Sequence, residues 1–228
     1  MILPKRIFPP VEYCLGTSAN QAQNGRLFLN NPGSGTLATT PVATCSPTPG
    51  LEFGKVSINI SPKQLLKPGF TEDLLAKLAR QGLSSRQIEL EVTETSVRDN
   101  PDKGIAILKQ LANAGFNLAL DDFGTGYSSL EYLKLMPVDK LKIDRAFIRD
   151  LAVNNKDSAI AKIIVDMGSA LGYQVLAEGV ETKEQLDILA SFSCNVIQGF
   201  YYSKPLHVAD LESKLSNREL TREKFLTN

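Results

Sequence analysis

The chain has 228 residues, 43% of them hydrophobic, and Lys+Arg 25 balance Asp+Glu 25. That is enough apolar material for one sizeable buried core, and too little net charge to build the basic field that a nucleic-acid polymer needs. Cys14, Cys45 and Cys194 are widely spaced and form no Cys-x-x-Cys pair, which argues against a disulfide framework or a cysteine zinc site and fits a reducing cytoplasm.

Lys5 and Arg6 are followed by Pro9, Pro10 and Glu12, where a signal peptide would need an apolar stretch. No run of about 18 apolar residues follows anywhere, so no membrane segment is expected in this chain. Residues 1–53 are rich in turn formers, as in Asn30-Asn31-Pro32-Gly33-Ser34-Gly35, and show no lasting period. They are expected to be an irregular N-terminal segment.

From residue 54 to 216 short β-branched runs alternate with helical patterns, the signature of βα units on a parallel sheet. Val56 to Ile60 reads as the first strand, and Phe70 to Gly82 as its helix, with Leu74, Leu75, Leu78 and Ala79 at helical spacing. Gln87 to Val92 is the second strand and Pro101 to Gly115 its helix, with Ile105, Leu108, Leu111 and Ala112 on one face. Asn117 to Leu120 is the third, ending at Asp121 and Asp122, with a helix through Ser128 to Leu135. Lys140 to Asp144 is the fourth, leading to a long helix whose apolar positions include Ile160, Ile163, Ile164, Met167 and Leu171. Gln174 to Ala177 and Asn195 to Ile197 are the fifth and sixth, followed by helices from Thr182 and from Val208, and residues 217–228 read as a C-terminal helical tail. The fold class is therefore α/β, an incomplete TIM-type (β/α) barrel with about six βα units where eight are usual.

In such a barrel the reactive groups gather where the strands end. Here those residues are Asn59, Glu91, Asp121 with Asp122, Lys142, Glu178 and Gln198. Singly, each has an ordinary explanation. Asp121-Asp122-Phe123-Gly124 could be a turn, Lys142 with Asp144 a surface pair, Glu178 a favourable helix start and Gln198-Gly199 a turn. Jointly, an oxygen-rich set with one lysine at six equivalent positions suits two-metal hydrolysis of a phosphodiester by Mg²⁺ or Mn²⁺. Glu178 or Lys142 could give acid or base help, the lysine only if its pKa fell. His207 lies beyond the last strand and reads as a surface or helix-start residue.

The segments Ser57-Ile58-Asn59-Ile60-Ser61-Pro62, Glu91-Val92-Thr93-Glu94, Asp121 to Leu130, Leu141-Lys142-Ile143-Asp144, Ala177 to Thr182 and Gln198 to Pro205 closely resemble the EAL family of bacterial cyclic di-GMP phosphodiesterases. The resemblance implies that Asn59, Glu91 and Asp121 ligate one metal, that Asp121 and Asp122 reach a second, and that Lys142 and Glu178 hold or activate the water, Glu178 also standing among the metal ligands. Gln198 and Asp144 would face the dinucleotide. Glu94 with Phe123, Gly124, Thr125, Gly126, Tyr127 and Ser128 would form the family's mobile loop, where closure and the contacts of a homodimer meet.

One departure stands against these matches. The Glu-Ala-Leu segment that gives the family its name, and whose glutamate completes the first metal's ligands, is absent, and the chain contains no tryptophan where Arg and Trp usually follow it. Two strands of the barrel are unaccounted for, and either the N-terminal segment or a second copy is expected to cover the open edges. Three readings stay open: a phosphodiesterase impaired by the missing glutamate, an inactive cyclic di-GMP receptor or interaction module, and a truncated fragment without function of its own.

Overall fold

The computed structural model describes residues 55–98, 100–124, 130–206, 210, 211 and 213. The N-terminal segment, the loop residues Thr125 to Ser128, His207 and the tail lie outside the described residues.

Within them the chain runs β1 (Val56–Ile60), α1 (Pro62–Leu65), α2 (Phe70–Arg80), β2 (Ile88–Thr93), α3 (Thr95–Arg98), α4 (Pro101–Asn113), β3 (Asn117–Phe123), α5 (Leu130–Leu135), β4 (Lys140–Ile143), α6 (Arg145–Arg149), α7 (Asn155–Ala170), β5 (Gln174–Glu178), α8 (Lys183–Ser191) and β6 (Val196–Gln198). The six strands pair in chain order, each parallel to the next. This is a curled, part-closed barrel sheet; among the described residues β1 and β6 have one neighbour each. The six expected strands are thus present, and β1 to β5 are each followed by a helix, with small helices added at α1, α3 and α6; the helix expected from Val208 lies largely outside the described residues.

Helix starts follow local chemistry. Ser61 and Gln64 form a capping box ahead of α1, Thr182 and Gln185 another ahead of α8, and Asn100 caps α4 with Pro101 in its first turn. The strands alternate between two faces. Leu90, Val92, Leu118, Leu120, Leu141 and Ile143 belong to the apolar core together with Leu108, Leu111, Ile148 and Val165 of the helices. The opposite, inner face carries the charged groups.

α7 differs from its sequence pattern. Its buried stripe is Ala161, Ile164, Val165 and Gly168, whereas Ile163 is 64% exposed. A Cβ at position 168 would collide with Val175, so the glycine lets α7 lie close against β5. A stripe at i, i+3, i+4 and i+7 that begins and ends on the small residues Ala161 and Gly168 decides the helix's rotation over Ile160 and Ile163. β3 also runs further than the apolar run suggests, through Asp121 and Asp122 to Phe123.

Candidate active site

Parallel register brings the strand ends to one rim. Asn59 lies beside Glu91, Thr93 beside Asp121, and Glu178 beside Gln198. Between β3 and β4 the register slips: Leu120 faces Leu141 but Phe123 faces Ile143, so β3 carries one extra residue. The slip coincides with Asp122, whose φ of 55° is left-handed. Aspartate tolerates that conformation better than most residues, and a bulge re-aims a side chain at a sheet rim. Strict alternation would turn Asp122 away from Asp121. The bulge instead keeps both carboxylates at the site.

At the centre is Lys142. Its Nζ lies 2.9 Å from Glu91 Oε1, 2.9 Å from Asp121 Oδ1 and 2.6 Å from Glu178 Oε1, with 3% of the side chain exposed. The Glu91 contact is an ion pair without hydrogen-bond alignment. Burial alone would push the lysine's pKa down, but Glu91, Glu178 and Asp121 outweigh it and hold the group above its ordinary value. Lys142 is therefore a fixed cation. It is not the surface partner of Asp144, which caps α6 by accepting from Ala146 N at 2.6 Å.

One ammonium shared among several carboxylates leaves them in excess. Burial, assisted by the charges of Asp121 and Glu91, pushes Glu178 up to about 7 even though Lys142 opposes the shift. Burial also raises Glu91. Asp122 is pushed up to about 6 by burial, then by the charge of Asp121 and a hydrogen bond with Asp144. Such an arrangement invites a divalent cation, and Asp121, Asp122 and Glu178 each offer an oxygen within 4.8 Å of the others. Next to Glu178 in the register, Gln198 keeps a buried Oε1 without a hydrogen-bond partner among the described residues. The donor chemistry therefore fits a hard cation.

Tight backbone contacts hold the loops behind these groups. Gly179, at φ +70°, leaves room for the methylenes of Arg145, whose guanidinium reaches Glu181 at 2.7 Å. A Cβ on Gly199 would strike the backbone of Val180, where Val180 N donates to Gln198 O at 3.1 Å. Buried Gln185 ties the loop after β5 to α6: its Oε1 accepts from Glu181 N and Thr182 N, and its Nε2 donates to Ile148 O and Arg149 O.

Of the remaining expected residues, Asn59 is exposed on the edge strand, and Phe123 is buried in the core. Glu94 is buried and accepts from Gly124 N at 3.0 Å, which joins the rim to the first described residue of the loop. Thr125 to Ser128 lie outside the described residues.

One feature of the inner face escaped sequence reasoning. Two residues below Glu91 and Lys142 on the same strands, Glu89 and Lys140 form a second, fully buried pair. Lys140 Nζ lies 2.9 and 2.8 Å from the two oxygens of Glu89, and Ser57 Oγ donates to Oε1 at 3.1 Å. The signal was present: Glu-x-Glu on one strand and Lys-x-Lys on another each place both charges on one face.

The EAL domain family model matches residues 44–205. The chain belongs to the EAL domain family. Of its curated EAL relatives, Cyclic di-GMP phosphodiesterase NbdA of Pseudomonas aeruginosa is 41% identical over 166 residues, covering 73% of this chain and 21% of NbdA. The chain thus spans about a fifth of the length of that relative. Among solved EAL structures, the PaMucR phosphodiesterase in complex with c-di-GMP is 40% identical with a TM-score of 0.67, covering 69% of this chain and 64% of that one. A Klebsiella pneumoniae BlrP1 complex with manganese and cy-diGMP is 36% identical with a TM-score of 0.64, covering 71% of this chain and 41% of that one. The parallel half-barrel described above is therefore the EAL version of a TIM-type fold.

Proposed function

We propose that the rim of this EAL half-barrel binds cyclic di-GMP and opens one of its phosphodiesters to the linear dinucleotide. The observation that carries the reading is the Lys142 ammonium set among Glu91, Asp121 and Glu178, beside the oxygens of Asp122 and Gln198. The names of the relatives support it, since NbdA is called a cyclic di-GMP phosphodiesterase and the PaMucR structure holds c-di-GMP.

Asp121, Asp122 and Glu178 would hold Mg²⁺ or Mn²⁺, which when bound polarises the phosphate and acidifies an attacking water. The manganese of the BlrP1 complex favours that choice of ion. Lys142, fixed in its charged form, offsets negative charge as it gathers on the phosphate oxygens. Glu178, whose Oε1 also pairs with Lys142, is the carboxylate that would take a proton from the water. Gln198 and Asp144 would contact the dinucleotide, and Glu94, which accepts from Gly124 N, would tether the loop expected to close over it. Loss of the Glu-Ala-Leu carboxylate lowers turnover by orders of magnitude, as removal of one electrostatic group does in other enzymes.

The reading extends to two further expectations. A homodimer through the loop region is supported by Leu130 and Leu135, 62% and 50% exposed at the start and end of α5. The cytoplasm is the proposed setting, supported by cysteines spaced too widely for a disulfide framework.

The test incubates the full chain with cyclic di-GMP and Mn²⁺ and follows the linear product. Turnover that Asp121→Asn abolishes establishes the enzyme. A second reading, a receptor that binds without turnover, is favoured by the absent Glu-Ala-Leu segment. Calorimetry showing cyclic di-GMP binding with no product would select it, and no binding with or without metal would sink both.

A further inference from the structure

Two-metal hydrolysis of a phosphodiester needs two sets of oxygen donors, with the ions about 3.5–4 Å apart. In this chain the donors divide unequally. On one side Asp121, Asp122 and Glu178 converge to within 4.8 Å, with the unpartnered Gln198 Oε1 level with Glu178 across the β5–β6 register. The backbone is bent to achieve this, because the extra residue and left-handed φ at Asp122 hold its carboxylate beside that of Asp121.

On the other side the expected donors are Asn59 and Glu91, which are register partners. Glu91 Oε1 lies 2.9 Å from the Lys142 ammonium, and Asp121 Oδ1 also lies 2.9 Å from it. Asn59 is exposed on β1, the edge of the described sheet, and the described residues include no strand beyond it to add a carboxylate. A buried ammonium against carboxylates occupies the volume and balances the charge that a cation would. Three carboxylates, Glu91, Asp121 and Glu178, contact this lysine and Asp122 stands beside them, so with all four ionised one divalent ion brings the group to within one charge of neutrality.

We propose that this chain takes one divalent cation, held by Asp121, Asp122 and Glu178, and that the Lys142 ammonium fills the place of the second. The inference rests on the phosphodiesterase reading only for its expectation of a divalent ion.

The experiment titrates Mn²⁺ into the full chain and counts bound ions by the loss of the free-ion electron paramagnetic resonance signal, with calorimetry for affinity. The expected result is one Mn²⁺ per chain. Asp122→Asn weakens binding at least about 100-fold, while Glu91→Gln keeps one ion with affinity within about threefold, because that carboxylate serves the lysine. Lys142→Met, with circular dichroism confirming that it folds, gains a second ion. Two ions bound by the unaltered chain, or none, overturn the proposal, as does loss of the ion in Glu91→Gln. The Glu91→Gln result stands even where Lys142→Met fails to fold. Cyclic di-GMP binding is scored separately. One ion without dinucleotide binding overturns the phosphodiesterase reading alone, and two ions with turnover overturn this inference alone.

Discussion

The inner face of the sheet carries charge at two levels, and the two are balanced differently. At the lower level Lys140 holds both oxygens of Glu89, Ser57 adds a hydrogen bond, and the pair sits in a site closed to water. At the upper level Lys142 serves Glu91, Asp121 and Glu178 at once, and Asp122 stands beside them. The same residue types, one strand period apart, therefore give a structural pair below and a centre of excess negative charge above. A satisfied pair has no use for a ligand. An unsatisfied one lowers its free energy by taking a cation, so the imbalance marks the site more reliably than the presence of acids and a lysine.

Substitution can break this contrast. Lys140→Met leaves Glu89 buried without its counter-ion and is expected to cost about 4 kcal/mol in chemical denaturation, with Mn²⁺ giving no recovery. Pairing it with Glu89→Leu should return much of the loss, since an apolar pair replaces both charges; a double variant as unstable as the single one would argue against this account of the lower level. Lys142→Met in chelator-treated protein at pH 8 should cost about 3 kcal/mol, and here saturating Mn²⁺ should restore the melting temperature, because a cation can replace the ammonium. Equal responses to Mn²⁺ at both levels would erase the distinction.

A smaller effect follows from pH. The folded chain holds the Glu178 proton up to about 7, above the ordinary 4.5, so between those values it binds more protons than the unfolded chain. Stability of the metal-free protein should therefore fall as pH rises through that window and level off above it, by on the order of 2 kcal/mol. Glu178→Gln should flatten that part of the profile, and urea midpoints at pH 5 and pH 8 measure it. Smallest is Ser57→Ala, about 1 kcal/mol, because Glu89 Oε1 keeps its bond to Lys140.

Much of the architecture was legible because parallel strands and their helices leave different periods in the sequence. The six strands stand where alternation and β-branching put them, and Asn59, Glu91, Asp121, Asp122, Lys142, Glu178 and Gln198 lie at or near their C-terminal ends. What periodicity could not give was how neighbouring elements meet. The stripe on α7 turned on Gly168 packing against Val175, a contact between residues on different elements. The bulge at Asp122 shows only in the pairing of β3 with β4. Glu89 and Lys140 were not singled out in the sequence because burial, not residue type, makes them a pair.

The sequence by itself determined the βα order, the caps that start the helices, and the set of acids and the lysine at the strand ends. Each is a local property or a fixed spacing along the chain. Only the tertiary structure decided that Lys142 is buried among three carboxylates that favour its charged form, that Asp122 turns back toward Asp121, and that the two levels of charge differ in balance. Those outcomes depend on distances across strands and on exclusion of water, since the energy of a charge is set by its neighbours and its solvent and not by its place in the chain.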